Sequence, residues 1–245
     1  MKVSQIVGRR TIDLNVDIGE GFAFDEELLR FASSANICCG VHAGSRELTA
    51  RTVELCQRNR VRVGVHPGYP DRDSMGRRSL QPGQERTYLK SLFDQVQWFL
   101  DLVRPSYLKP HGAFYNDTAI VLPPNWEQVR KRAPMTSQYE AGGVFLSEYP
   151  GVQSLIMLLR IHRLPLMGLA STAHLAIATR ARQSFMREGF ADRRYTEEGT
   201  LLPRTEPGAV ITEPAEIRGQ VLRIARRSTA SASTAIRRIV SSSRS

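Results

Sequence analysis

Cysteine is scarce in this chain, and its pattern excludes a disulfide framework. Cys38 and Cys39 are adjacent, Cys56 stands apart, and no Cys-x-x-Cys spacing offers a zinc site. A reducing, cytoplasmic setting is therefore expected. No apolar run reaches the roughly 18 residues that suggest a membrane span, and residues 1–10 lack the apolar core of a signal peptide, so no membrane association is expected. Lysine is nearly missing, with four among the 34 basic residues, and only five histidines occur in 245 residues. No Gly-x-x-x-x-Gly-Lys-Ser/Thr loop is present to cradle a nucleotide phosphate. The net charge of +10 comes from arginines scattered in pairs, such as Arg77-Arg78 and Arg193-Arg194. Without a basic stripe interleaved with aromatics, nucleic acid is not an expected partner.

The scarce residues are concentrated. Three of the five histidines sit in four short blocks: Asp13-Leu14-Asn15-Val16-Asp17-Ile18-Gly19-Glu20, Cys39-Gly40-Val41-His42-Ala43-Gly44, Val65-His66-Pro67-Gly68-Tyr69-Pro70-Asp71 and Lys109-Pro110-His111-Gly112. Each places a titratable group where a strand should end in a Gly or Pro turn. Parallel α/β folds build active sites from such strand ends. Apolar content of 41% and charged content of 24% suit a globular enzyme, and the length suits one large α/β domain or two small ones.

Strict alternation over 12–18 predicts a strand with Asp13, Asn15 and Asp17 on one face. Asp25 is expected to cap a helix bearing Leu28, Leu29 and Ala32. A strand near 35–39 leads to His42, Ser45 caps the next helix, and a third strand over 61–65 ends at His66. A Gly/Pro/Arg-rich loop over 68–83 can fold over the strand ends. Residues 85–103 read as a helix presenting Leu89, Phe93, Val96, Leu100 and Val103. Further strand and helix units follow, with a last helix over 214–224. The resulting division is an extension (1–10), a β/α domain (11–226) with an insertion (118–150), and a Ser/Arg-rich tail (227–245) expected to be disordered without a regular strand.

Asp13 and Asp17 are candidate acid–base or metal-binding carboxylates, whereas Glu20 can either act in the site or satisfy turn amides. His42 and His66, at successive strand ends, can join Asp13 or Asp17 around a divalent metal, or act as general acid and base. Lys109 and His111 share strand parity; Lys109 can bind a substrate carboxylate or phosphate. Asp192 and Arg193 can form a substrate-binding fork or a loop salt bridge. His162 and His174 carry no motif and read as structural.

Taken together, these blocks resemble the LamB/YcsF family. The matching stretches are 12–20 (IDLNVDIGE), 33–44 (SSANICCGVHAG), 64–71 (GVHPGYPD), 107–116 (YLKPHGAFYN) and 190–204 (FADRRYTEEGTLLPR). The resemblance implies a seven-stranded β/α barrel similar to sugar deacetylases. It also implies ATP-dependent opening of 5-oxo-L-proline to L-glutamate, as the A-type component of a 5-oxoprolinase working with subunits B and C. Catalytic roles for Asp13, Asp17, His42, His66 and His111 are expected, with Asn15, Glu20, Lys109, Asp192 and Arg193 binding substrate. A divalent metal on Asp13, His42 and His66 is a candidate. Ser45 stands where the family usually has Asp, and the family's closing strand is expected to be missing, leaving the barrel incompletely closed. Two alternatives stay open: a stand-alone metal-dependent deacetylase of N-acetyl sugars, and an inactive truncated homologue.

Overall fold

Alternation at 12–18 does produce the strand around which the sheet is organised. The computed structural model describes residues 6–7, 10–122, 149–170, 172–227 and 232–235. In chain order the elements are β1 (Ile6–Val7), β2 (Arg10–Thr11), β3 (Asp13–Ile18), α1 (Asp25–Leu28), β4 (Ser34–Cys38), α2 (Arg46–Arg58), β5 (Arg62–His66), α3 (Glu85–Leu102), α4 (Gly112–Thr118), α5 (Pro150–His162), β6 (Leu166–Leu169), α6 (His174–Arg180), β7 (Phe185–Phe190), α7 (Pro214–Arg227) and β8 (Ala232–Ala235). β1 and β2 form a small antiparallel ladder. The others make a parallel sheet in the order β5-β4-β3-β8-β7-β6.

Both outer strands of this sheet hydrogen-bond to the same short segment. Leu108 makes parallel bridges to Val65 of β5 and Leu166 of β6. Val65 N–H donates to Tyr107 O (3.0 Å) and Met167 N–H to Leu108 O (2.9 Å). Pro105 and Pro110 flank this segment, and proline cannot donate to a ladder, so it remains too short to count as a seventh regular strand. Among the described residues the α/β class is as expected, and the regular sheet has six strands.

The expectation that no strand follows Arg227 is overturned. Backbone 232–235 lies between β3 and β7, in parallel register with both: Asp13 pairs with Ser233 and Phe190 with Ala235. Composition alone weighs the apolar surface that a segment can bury. It does not count the row of N–H and C=O groups on two neighbouring strands, which a polar strand satisfies as well as an apolar one. The other tail positions and most of the 118–150 insertion lie outside the described residues.

Helices pack as their sequences dictate, with two shifts. Ser45 Oγ caps α2 as expected, accepting from Leu48 N–H. Asp25, expected to cap α1, instead reaches back to accept from Gly19 N–H at 2.7 Å, and α1 ends at Leu28. The buried stripe of α3 is Leu92, Gln95, Val96 and Phe99, a helical position away from the predicted one. Gln95 turns inward because its amide clamps Gly68, accepting from its N–H and donating to its carbonyl. Gly64 has no room for a side chain: a Cβ there would lie 2.2 Å from the Tyr107 ring.

His174 is a structural tie. Its Nδ1 accepts from Leu169 N–H, so Nε2 carries the proton and donates to Thr118 Oγ1, both at 2.9 Å. Burial pushes its imidazole down to about 3 from 6.5. The unfolded chain thus takes up a proton below pH 6.5 that the folded chain refuses; this stability is intact above 6.5 and drains away towards pH 3. In urea unfolding, the stability advantage of wild type over His174→Gln should be about 2 kcal/mol smaller at pH 5 than at pH 7. An equal advantage at both pH values would contradict this role. Truncation after Arg227 should leave β3 and β7 with open edges and yield an aggregating chain by size-exclusion chromatography. A monodisperse, cooperatively unfolding truncation would show that β8 is dispensable.

Candidate active site

Chemistry-bearing side chains gather at the C-terminal ends of the parallel strands, where the loops after β3, β4 and β5 meet the 107–111 segment. Lys109 is the hub. It is 1% exposed, and its Nζ has three acceptors: Glu188 at 2.6 Å, Asp17 at 2.9 Å and Asn15 at 3.4 Å. Burial by itself would push the ammonium down, but Asp17 and Glu188 outweigh it and hold Lys109 above its ordinary value. Asn36 donates to Asp17 Oδ1 and Asn15 Oδ1, and accepts from Tyr107 OH. Tyr115 OH donates to Glu188 Oε2 at 2.9 Å. Glu188 is pushed up by burial, against the pull of Lys109.

Three imidazoles stand beside this ion cluster. His66 Nδ1 faces Lys109 O at 2.8 Å and His111 Nε2 faces Met75 O at 2.9 Å. Carbonyl oxygens only accept, so these two nitrogens carry protons. The opposite nitrogens, His66 Nε2 and His111 Nδ1, then face each other at 3.0 Å. Glu20 Oε1 lies 3.4 Å from His111 Nδ1 and 3.8 Å from His42 Nε2. Asp17 Oδ2 is 3.6 Å from His66 Nε2. Burial pushes His66 down to about 4, which keeps it neutral at pH 7. His42 stacks on His111 with ring centroids 3.8 Å apart. Glu20, His66 and His111 offer ligand atoms within 4.8 Å of one another.

The 68–83 loop does fold over the strand ends. Besides Met75 O receiving His111, Gly76 O receives Ala113 N–H, and Ser79 donates to Asp117. The loop also closes on His42, since a Cβ at Gly68 would lie 2.6 Å from its Nδ1. A cleft of about 510 Å³ opens beside the cluster, lined by Asp17, His66, Lys109, Tyr115, Phe190 and Arg193 among others.

Asn15, Asp17, Glu20, His42, His66, Lys109 and His111 are thus brought together as the sequence suggests. Asp13 is not. It sits at the other end of β3, bound by Arg62 at 2.7 Å and by Ser33 and Ser34. The offset of four residues from Asp13 to Asp17 spans about 13 Å of strand, so the Asp13–His42–His66 metal set does not form. Asp192 is buried just past β7, where its carbonyl receives Ile211 N–H, and it does not line the cleft. Arg193 does line the cleft while its guanidinium donates to Leu202 O and Ala209 O. Glu188 and Gln95 carry no motif in the sequence and enter through the fold, and Tyr115 and Asn36 lie in matching stretches without standing out there as site residues. For Asn36 a signal exists: it is a polar residue on an otherwise small and apolar strand. Cys38 is pushed up to about 12 by burial, and Cys39 also upward, so neither is a thiolate nucleophile.

Lys109→Met should leave Asp17 and Glu188 buried without their cation, and the expected loss is roughly 3–5 kcal/mol of stability in urea unfolding. A loss under about 1 kcal/mol would show that the carboxylates find other compensation.

Comparison with known proteins places this geometry. The chain is 35% identical over 219 residues to the 5-oxoprolinase A-subunit of Haemophilus influenzae, covering 88% of this chain and 79% of the relative. It is 34% identical over 220 residues to the protein of that name from Pyrococcus furiosus, covering 86% and 76%. The crystal structure of a lactam utilization protein from Thermus thermophilus superposes with a TM-score of 0.68 at 26% identity, over 92% of this chain and 89% of that one. The LamB/YcsF family profile matches residues 12–121 and 153–242, running through β8 into the Ser/Arg-rich tail, where the family's closing strand was expected to be missing. The chain belongs to the LamB/YcsF family.

Proposed function

We propose that this chain is the A-type component of an ATP-dependent 5-oxoprolinase and that its cleft opens the lactam of 5-oxo-L-proline to L-glutamate. The observation that carries the reading is a buried carboxylate, Asp17, held through Oδ1 by Lys109 and Asn36 while Oδ2 faces the imidazole cluster beside the cleft. The names of the relatives from H. influenzae and P. furiosus support the substrate and the subunit role. In this mechanism Asp17 takes a proton from water as the water oxygen bonds to the lactam carbonyl carbon. The same proton is delivered to the ring nitrogen as the C–N bond breaks.

Lys109 has its acceptors already, so the substrate carboxylate expected on Lys109 is assigned instead to the arginines lining the cleft, Arg77, Arg193 and Arg204. Hydrolysis of this unstrained lactam is uphill, and the chain has no phosphate loop, so ATP coupling is assigned to partner subunits B and C. We further infer that the sheet closes as a seven-stranded barrel with 107–109 as its short seventh stave; the bridges of Leu108 to both outer strands support this. Three buried cysteines outside any disulfide suit a reducing cytoplasm.

Glutamate formation from 5-oxoproline and ATP should require this chain together with both partners. Full activity from the chain alone would sink the division of labour, and no activity with the partners would sink the substrate assignment. In the complete assembly, His66→Gln should lower turnover roughly a hundredfold or more with the circular dichroism spectrum unchanged. Unaltered turnover would remove His66 from the machinery.

A further inference from the structure

Two neutral imidazoles whose outer nitrogens both donate to carbonyls present two lone pairs to each other across 3.0 Å. That arrangement is repulsive unless a cation lies between them. A carboxylate oxygen, Glu20 Oε1, stands 3.4 Å from one of the two nitrogens. Donors bound at about 2.0–2.1 Å to one tetrahedral ion are about 3.3 Å apart, which matches both separations. Surrounding charge favours a cation as well. Asp17, Glu20 and Glu188 all have side chains at most 5% exposed, and Lys109 pairs with two of them.

We propose that His66 Nε2, His111 Nδ1 and Glu20 Oε1 bind one divalent transition-metal cation of the zinc type. Two imidazoles and one carboxylate favour Zn²⁺, Mn²⁺ or Co²⁺ over Mg²⁺, which prefers oxygen and keeps its water. Met75 O and Lys109 O are the outer partners that fix each ring's orientation, as carbonyls do behind metal-binding histidines. His42 is fully buried against this group, and among the described residues neither of its ring nitrogens has a hydrogen-bond partner; Nε2 lies 3.8 Å from Glu20 Oε1 and is a further donor beside the ion. Three protein ligands leave an open position for water or a carbonyl oxygen. Use of that position to polarise a lactam carbonyl rests on the function proposed above; the existence of the binding site does not.

The rival occupant is a single proton shared between the imidazoles, and metal binding separates the two. The full chain, stripped with EDTA, is titrated with ZnCl₂, CoCl₂ and MgCl₂ by calorimetry. One Zn²⁺ per chain is expected, with Mg²⁺ at least a hundredfold weaker. The Co²⁺ form should show d–d bands without a thiolate charge-transfer band, which excludes Cys38, Cys39 and Cys56 as ligands. Glu20→Gln and His111→Gln should each weaken Zn²⁺ binding roughly tenfold to a hundredfold or more. Should either variant fail to fold, nitrogen-15 spectra of the wild-type imidazoles decide: Zn²⁺ must shift His66 Nε2 and His111 Nδ1 together. Absence of saturable binding, binding insensitive to both substitutions, a thiolate band, or unshifted histidine signals would each overturn the proposal. Stoichiometric Zn²⁺ binding by a chain that fails to open 5-oxoproline with its partners would leave the metal site standing and remove only the ring-opening reading.

Discussion

An ammonium buried between two carboxylates is the constraint on which the rest of the site depends. Lys109 lies on the 107–109 segment, Asp17 on β3 and Glu188 on β7, so one ion cluster joins three places along the chain that are far apart in sequence. Burying any of these charges alone would cost several kcal/mol. Together they fix the rotamers that turn Asp17 towards His66 and leave its carboxylate lining the cleft. A cluster of this kind gives less stability than an apolar core of the same volume. What it contributes is placement, since each group holds only while its partners stay where they are.

Backbone pairing supplies the frame for this placement. The functional loops all leave the sheet at the same end because every strand in it is parallel. β8 matters out of proportion to its four residues, since it separates β3 from β7 while hydrogen-bonding to both and so sets the distance across which Lys109 reaches Asp17 and Glu188. Glycines in this frame mark close approach: Gly64 leaves room for the Tyr107 ring, whose hydroxyl donates to Asn36.

Much of the site is legible in the chain because rare residues fall at strand ends. Histidines 42, 66 and 111 and Lys109 stand out by scarcity and by the Gly or Pro near them, and they converge. Strand parity correctly puts Asn15 and Asp17 on one face, but parity has no sense of distance along a strand, and it draws Asp13 in wrongly. Glu20 fits a turn or the site equally well by sequence; the turn amide goes to Asp25, and Glu20 turns to the histidines. Glu188 is illegible because Arg187-Glu188 reads as a surface charge pair, and only the parallel register with β6 and β8 buries the carboxylate. The tail misleads for the same reason: strand pairing is a property of neighbours, not of composition. Tautomers of His66 and His111 depend on carbonyls contributed by distant segments, and no sequence pattern encodes them.

The most direct test of the account is a crystal structure of the chain grown with 5-oxo-L-proline. The lactam carbonyl should point at the His66–His111–Glu20 group, the scissile carbon should lie within reach of a water held by Asp17, and the substrate carboxylate should meet the arginines that line the cleft. Density for the substrate elsewhere on the molecule, or in the cleft with its carboxylate against Asp17, would contradict the assignment of this cleft as the ring-opening site.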